Sequence, residues 1–447
     1  MANHVVIIGN GIAGITTARH IRKNNSETKI TVISSETDHF FSRTALMYIY
    51  MGHMRYKDTK PYEDWFWSKN RIDLIRDTVL SIDFETQTLK TKEQDISYDK
   101  LVIATGSTPN KFGWKGQDLP GVQGLYSKQD LEILEESTAN KKVKRAVIVG
   151  GGLIGVEFAE MMRSRGIEVT FLVRENRFWG GVLPLEEGAM IAEHMKKDHH
   201  VDLRLEEELD EIIEGENGRV SAVITKKGER IECELVGLTA GVRPNVDFLK
   251  NSPLEIGKGI KVNKYLETNV PNVYAAGDCA EVQETVPGRR SIEAVWYVGR
   301  MMGETLGQTL AGNKIAYEPG IWFNSAKFFD IEYQTYGNVA ANNQEDEITF
   351  YWKHHSKSIS FRAVYDKNSR SLRGINNFGI RLRHKICEGW IKSNTPIEIV
   401  LSELRNANFD PEFFKQYEKD IISQFNNENG TSIKPKKKNL LAIFGRG

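Results

Sequence analysis

Short apolar runs closed by glycine punctuate the first two thirds of the chain. His4-Val5-Val6-Ile7-Ile8 stops at Gly9, and Ala146-Val147-Ile148-Val149 stops at Gly150. Leu101-Val102-Ile103-Ala104 precedes Gly106, and Val273-Tyr274-Ala275-Ala276 precedes Gly277. Runs this short, apolar without alternation and rich in β-branched residues, predict buried strands. Lys29-Ile30-Thr31-Val32-Ile33 and Glu168-Val169-Thr170-Phe171-Leu172-Val173 supply second strands behind the first two runs. A hydrophilic helical stretch around Arg19 to Asn24 lies between the first pair. From about Tyr317 the pattern changes. Alternating aromatic segments, Ile348 to Trp352 and Ile359 to Tyr365, predict an antiparallel sheet, and a charged helical stretch follows from about Pro396 to Phe425.

With the GxGxxG motifs Gly9 to Gly14 and Gly150 to Gly155 directly after two of these strands, the pattern predicts an α/β chain with two Rossmann-like dinucleotide-binding domains, the second inserted in the first, plus a C-terminal α+β domain. The expected boundaries are 1–115 with 250–325 for the first module, 116–249 for the second, 326–430 for the C-terminal region and 431–447 for a basic flexible tail. Lys434-Pro435-Lys436-Lys437-Lys438 in that tail is expected to be a solvated terminus; a docking arm for an acidic partner is the sharper alternative.

Gly9-Asn10-Gly11-Ile12-Ala13-Gly14 and Gly150-Gly151-Gly152-Leu153-Ile154-Gly155 are GxGxxG fingerprints placed between a strand and a helix. Gly9 allows the tight turn, Gly11 lets backbone approach a pyrophosphate, and Gly14 permits close helix–strand packing. The helix N-terminus supplies N–H groups and a positive dipole end. Glu36, just past the second strand, is the candidate acid for ribose hydroxyls. Two such sites on one chain imply two dinucleotides able to exchange electrons.

The motif order resembles that of the FAD-dependent pyridine nucleotide-disulfide oxidoreductase superfamily over roughly residues 4 to 325. Gly9 to Gly14 is followed by Ala104-Thr105-Gly106, Gly150 to Gly155, Gly241-Val242-Arg243-Pro244-Asn245, and Thr268 to Asp278. The resemblance implies FAD on the first module, contacted by Gly9, Gly11, Ile12, Ala13, Gly14, Glu36, Arg43, Thr44, Val79, Ala104, Thr105, Gly106, Gly277, Asp278 and Trp296. It implies NADH or NADPH on the second, contacted by Gly150, Gly152, Leu153, Ile154, Gly155, Arg174, Glu175 and Gly241. Asp278 would accept a ribityl hydroxyl, and Trp296-Tyr297 would begin a helix covering the pyrimidine side of the flavin, a core aromatic being the alternative. In Phe40 to Tyr48, Arg43 matches the family arginine, Thr44 replaces the usual proline, and Tyr48 stands where related members carry lysine. Thr44 and Glu157 are the candidate catalytic positions; Glu157 would sit near the nicotinamide or be an ordinary polar helix residue. Val173 is followed by Arg174-Glu175-Asn176-Arg177. The leading arginine favours a 2′-phosphate, hence NADPH, while Glu175 keeps NADH open.

Absences narrow the chemistry. Disulfide and coenzyme A reductases of this superfamily need a thiolate against the flavin, and Asp38 to Tyr50 contains no cysteine. Cys279 is expected to pack in the core. His199-His200 and His354-His355 lack metal-ligand spacing, so surface histidines and no metal are expected. Equal numbers of basic and acidic side chains, 60 each, give no global field toward nucleic acid. The widely spaced Cys233, Cys279 and Cys387 argue for a reducing compartment. No apolar stretch approaches the roughly 20 residues of a membrane span, and the first strand starts too early for a signal peptide. A cytoplasmic protein is expected. The leading function is an NAD(P)H-dependent flavin oxidoreductase that passes electrons to a ferredoxin- or rubredoxin-like protein. An NADH:quinone or oxygen oxidoreductase, and an apoptosis-inducing-factor-like NADH-responsive binding flavoprotein, are the alternatives; a homodimer is left open.

Overall fold

A computed structural model of the chain describes residues 3–409 and 415–436. Lys437 and Lys438 of the basic tail lie outside the described residues. The chain divides into two compact units, Met1–Thr170 with Glu208–Pro319, and Phe171–Glu207 with Gly320–Gly447.

The first unit is built on parallel strands. Val273–Ala275, Lys100–Ile103, His4–Ile8, Lys29–Ser34 and Ile72–Arg76 lie side by side in that order, all parallel. The interior residues of the first four are almost wholly buried, the reason their sequences run apolar without alternation, while the edge strand Ile72–Arg76 is only partly buried and carries Asp73. A second parallel ladder joins Arg145–Val149 to Leu235–Leu238 and the latter to Val122–Gln123. The chain thus leaves the first sheet after Ile103, builds the second, and returns at Val273. That return makes the second module an insertion. The unit also holds two three-stranded antiparallel sheets, Val79–Asp83 with Thr88–Thr91 and Asp95–Ser97, and Leu209–Glu214 with Val220–Thr225 and Arg230–Glu232, and two strand pairs, Ser107–Pro109 with Val242–Pro244 and Ile260–Val262 with Ala280–Val282.

Helix Ile12–Asn24 lies against helix Trp296–Leu310 along a row of glycines. A Cβ on Gly299 would stand 3.2 Å from Ile12 Cγ2, on Gly303 2.6 Å from the Ala13 carbonyl oxygen, and on Gly307 2.4 Å from His20 Cβ. Backbone meets backbone there. The contact fixes where the first fingerprint's helix begins.

In the second unit, strands Phe323–Phe328, Ile331–Gly337, Leu372–Phe378, Ser360–Asp366 and Glu347–Lys353 form one antiparallel sheet in that order. One face is covered by helices His384–Lys392, Ile397–Ala407 and Glu418–Asn429, whose Trp390, Leu401 and Phe425 pack with Tyr336, Phe361 and Ile375. The first of these helices was not expected from the sequence. Phe171–Glu207, expected within the inserted module, groups with this unit because helix Leu185–Lys197 carries Glu187 into it. Glu187 is fully buried and accepts from Arg362 Nε at 3.0 Å and Asn376 Nδ2 at 3.1 Å. Burial pushes its carboxyl up, against the pull of Arg362.

Candidate functional site

The two fingerprints repeat one geometry. Gly9 and Gly150 have φ of 111° and 114°, left-handed values that glycine tolerates. A Cβ on Gly9 would lie 2.1 Å from the Ala104 carbonyl oxygen, and on Gly150 2.7 Å from that of Thr239. Gly11 and Gly152 are the N-caps of helices Ile12–Asn24 and Leu153–Ser164, neither with a side-chain cap, and a Cβ on either would meet only open space. Uncapped N–H groups beside open space suit a phosphate. Gly14 faces the Gly9 carbonyl, 2.0 Å from a built Cβ, so it serves packing and does not line a cavity.

One cavity of about 710 Å³ opens at the ends of the first sheet, within the size range of cofactor sites. Gly9, Gly11, Ile12, Ala13, Glu36, Arg43, Thr44, Val79, Ala104, Thr105, Gly106, Gly277, Asp278 and Trp296 line it. So do Ile154 and Glu157, one turn apart on the helix of the second fingerprint. No cysteine is among its lining residues. The strands end at one edge of a parallel sheet, so residues far apart in sequence converge there.

Asp278 sits inside this cavity. Ser107 Oγ donates to its Oδ2 at 2.8 Å. Burial pushes the carboxyl up, opposed by that bond and by the Arg43 charge. Arg43 grips Glu36 with two bonds, Nη2 to Oε2 at 2.5 Å and Nη1 to Oε1 at 3.0 Å. Burial alone would lower the guanidinium, but the Glu36 carboxylate holds it above its ordinary value. Lys128 N–H, at the start of helix Lys128–Thr138, donates to the same Glu36 Oε1 at 2.9 Å. A carboxylate has about four acceptor positions, so two clamped oxygens still have capacity for a ribose. Thr44 lies on the turn Arg43–Ala45, its hydroxyl 3.2 Å from Ser42 Oγ.

Sequence reasoning missed Tyr126 and Ser107. The Tyr126 hydroxyl accepts from Ser107 N–H at 2.8 Å, and Arg43 lies 4.6 Å over the tyrosine ring while also donating to the Tyr126 carbonyl. Both residues line the cavity, as do Asp77 and Thr78 beside the expected Val79. None carries a motif signal; they reach the site through tertiary packing.

Most positions expected to contact NAD(P)H are outside this lining. Gly150, Gly152, Leu153, Gly155 and Gly241 do not line this cavity. Gly155 is buried in its helix, and the Gly241 carbonyl accepts from Asn110 N–H at 3.1 Å. Arg174 and Glu175 are exposed and pair with each other at 3.1 Å. Cys279 is in the core, its thiol directed at the Ile103 carbonyl at 3.3 Å and pushed up by burial. Burial likewise pushes Cys233 and Cys387 up to about 12. His199, expected at the surface, is 25% exposed and meets His194 and Asp330 at the turn of an adjacent hairpin.

The cavity fits a flavin dinucleotide on two observations. Trp296 Nε1 is buried without a partner among the described residues, at the start of helix Trp296–Leu310 and on the cavity wall. A lone buried donor of this kind calls for an acceptor from elsewhere. The uncapped helix at Gly11 provides the second, a seat for a pyrophosphate.

Residues 3–303 match the family described as pyridine nucleotide-disulphide oxidoreductase. The chain is 33% identical over 340 residues to an NAD(P)H coenzyme A polysulfide/persulfide reductase of Pyrococcus horikoshii, covering 74% of this chain and 75% of that protein. It is 30% identical over 292 residues to the rubredoxin-NAD(+) reductase of Acinetobacter baylyi, covering 63% of this chain and 73% of that one. Among solved structures, an NAD-dependent persulfide reductase from A. fulgidus superposes with a TM-score of 0.82 at 23% identity, over 96% of this chain and 84% of that chain.

Proposed function

Because the chain belongs to the pyridine nucleotide-disulphide oxidoreductase family, a family of FAD- and NAD(P)H-dependent oxidoreductases, we propose that it takes hydride from NADPH or NADH and delivers electrons to a small iron–sulfur protein in the cytoplasm. The observation that carries this reading is the cavity of about 710 Å³, lined from both fingerprint helices and by no cysteine. Bound FAD supplies a group that accepts two electrons from a nicotinamide and releases them to an acceptor.

The chain's own residues bind and orient. Asp278 takes a ribityl hydroxyl, Glu36 a ribose, and the N–H groups after Gly11 the pyrophosphate. Arg43 sets the position of Glu36 and adds positive charge to the cavity. Trp296 covers the pyrimidine side. Ile154 and Glu157 would hold the nicotinamide against the flavin and help keep water out, and Thr44 would line the same pocket as a candidate catalytic residue. Residues 1–115 with 250–325 hold FAD and 116–249 hold the nicotinamide; 326–430 form an interface for a partner or a second copy. Arg174 favours the 2′-phosphate of NADPH.

The likeness to the persulfide reductase raises a second reading, electron delivery to a sulfur compound or oxygen. A reactive thiol near the flavin would be needed for the former, and the cavity wall offers none among the described residues. Anaerobic NADPH and NADH oxidation, measured with ferredoxin, rubredoxin, quinone and coenzyme A persulfide, and aerobically with oxygen, tests the proposal. The iron–sulfur carriers are expected to give the highest kcat/KM. Rapid turnover with oxygen or persulfide alone would replace it with the second reading. A clear NADH preference would remove the role given to Arg174.

A further inference from the structure

Three metal-ligating side chains converge in the second unit, in a place that the redox site does not use. Helix Leu185–Lys197 carries His194 on its last turn, and the chain bends after Asp198 to present His199. The hairpin of Phe323–Phe328 and Ile331–Gly337 has only Phe329 and Asp330 at its tip. His194 Nε2 lies 2.6 Å from Asp330 Oδ1, His199 Nε2 lies 2.9 Å from the same oxygen, and the two ring nitrogens are 3.1 Å apart. The Phe329 ring stacks on His199 at 4.1 Å and fixes its plane.

The hydrogen count at this triangle is unusual. His194 Nδ1 lies 2.6 Å from Asp198 Oδ2, a carboxylate that only accepts. A neutral His194 therefore carries its proton on Nδ1 and turns a lone pair at Nε2 toward Asp330 and His199. Acceptor then faces acceptor. Either a second proton on His194 or a cation shared by the three converging donors relieves this. The carboxylate behind Nδ1 is the outer-shell partner that metal-binding histidines use to fix their ring. Tetrahedral ligands at about 2.0–2.1 Å from zinc stand roughly 3.4 Å apart, so the three donors need to spread by less than about 1 Å. His194 is buried while Asp330 is largely exposed, leaving one side open for water as a fourth ligand.

We propose that His194, His199 and Asp330 bind one divalent ion of the zinc class, pinning the end of helix Leu185–Lys197 to the tip of the hairpin. Two imidazoles with one carboxylate suit zinc and its transition-metal neighbours over magnesium or calcium, which take oxygen donors. The site asks nothing of the flavin.

The test uses tag-free full-length protein, stripped with chelator and titrated calorimetrically with ZnCl2 and with MgCl2. One zinc per chain is expected, with a rise in Tm and no matching magnesium binding. His199→Ala and Asp330→Asn, each checked for native circular dichroism, are expected to lose far more affinity than Asp198→Asn. The latter should lose about 10- to 100-fold, as outer-shell changes do. A His354→Ala, His355→Ala double variant should bind zinc like the parent. Failure of the parent to take up zinc overturns the proposal without reference to any variant. So does zinc affinity unchanged in both His199→Ala and Asp330→Asn, or magnesium binding as tight as zinc.

Discussion

Asp278 shows how one side chain carries both the cost and the use of a redox pocket. Its carboxyl is held above the ordinary value of 3.8 by burial. Above pH 3.8 the unfolded chain releases that proton while the flavin-free native state keeps it, so stability falls as pH rises through the window. Asp278→Asn removes the penalty. In flavin-free protein its Tm is expected to match the parent at low pH and to exceed it increasingly as pH rises past that value. The same variant loses a charged acceptor for a ribityl hydroxyl, worth about 1.5–3 kcal/mol. FAD affinity, read by fluorescence titration, is expected to weaken by roughly 10- to 100-fold. An unchanged affinity would remove Asp278 from the flavin site. Asp278, Glu36 and Arg43 were legible as candidates because each stands at a motif position. Tyr126 and Ser107 were not, since their roles arise from a bond between them and from proximity to Arg43.

Between elements, close approach is the governing variable. Gly303 brings helix Trp296–Leu310 onto the backbone of helix Ile12–Asn24, and a Cβ there would sit 2.6 Å from the Ala13 carbonyl. Gly303→Ala is expected to force the helices apart at about 1–3 kcal/mol. Chemical denaturation should show that loss, with weaker FAD retention because Ala13 lines the cavity. In the other unit, Arg362 is 3% exposed and bonds Glu186 at 2.7 Å and Glu187 at 3.0 Å. Arg362→Ala strands the fully buried Glu187, and about 3–5 kcal/mol of stability should be lost. Arg362→Met with Glu187→Met should cost less, since no buried charge is left alone; an equal cost would show that packing, not charge, holds that helix to the sheet. The glycine row at 299, 303 and 307 was readable in principle as a spacing of four on a helix, but which helix it meets could not be read from the sequence.

For the molecule as a whole, binding and stability are linked. A ligand held only by the folded state at about 100 times its Kd adds about 2.7 kcal/mol. Adding FAD to flavin-free protein at that excess is therefore expected to raise Tm, as scanning calorimetry would show, whereas FMN, without the second nucleotide half, should give a smaller rise. Equal rises would mean that the pyrophosphate seat at Gly11 contributes nothing. Among the described residues no helix is long and apolar enough to cross a membrane.

Local physics wrote the two nucleotide modules into the sequence. A strand buried on both faces must be apolar throughout, a backbone turn at φ near 110° selects glycine, and a phosphate seat needs an uncapped helix start. Those demands act within about ten residues, so they leave a continuous signature. Other features depend on residues far apart in the chain. Phe171–Glu207 joins the C-terminal unit through the Glu187–Arg362 pair, 175 residues apart, and Asp330 reaches His194 across 136. Each partner alone resembles an ordinary surface acid, base or histidine, because what distinguishes it is burial and a neighbour that only the folded chain supplies.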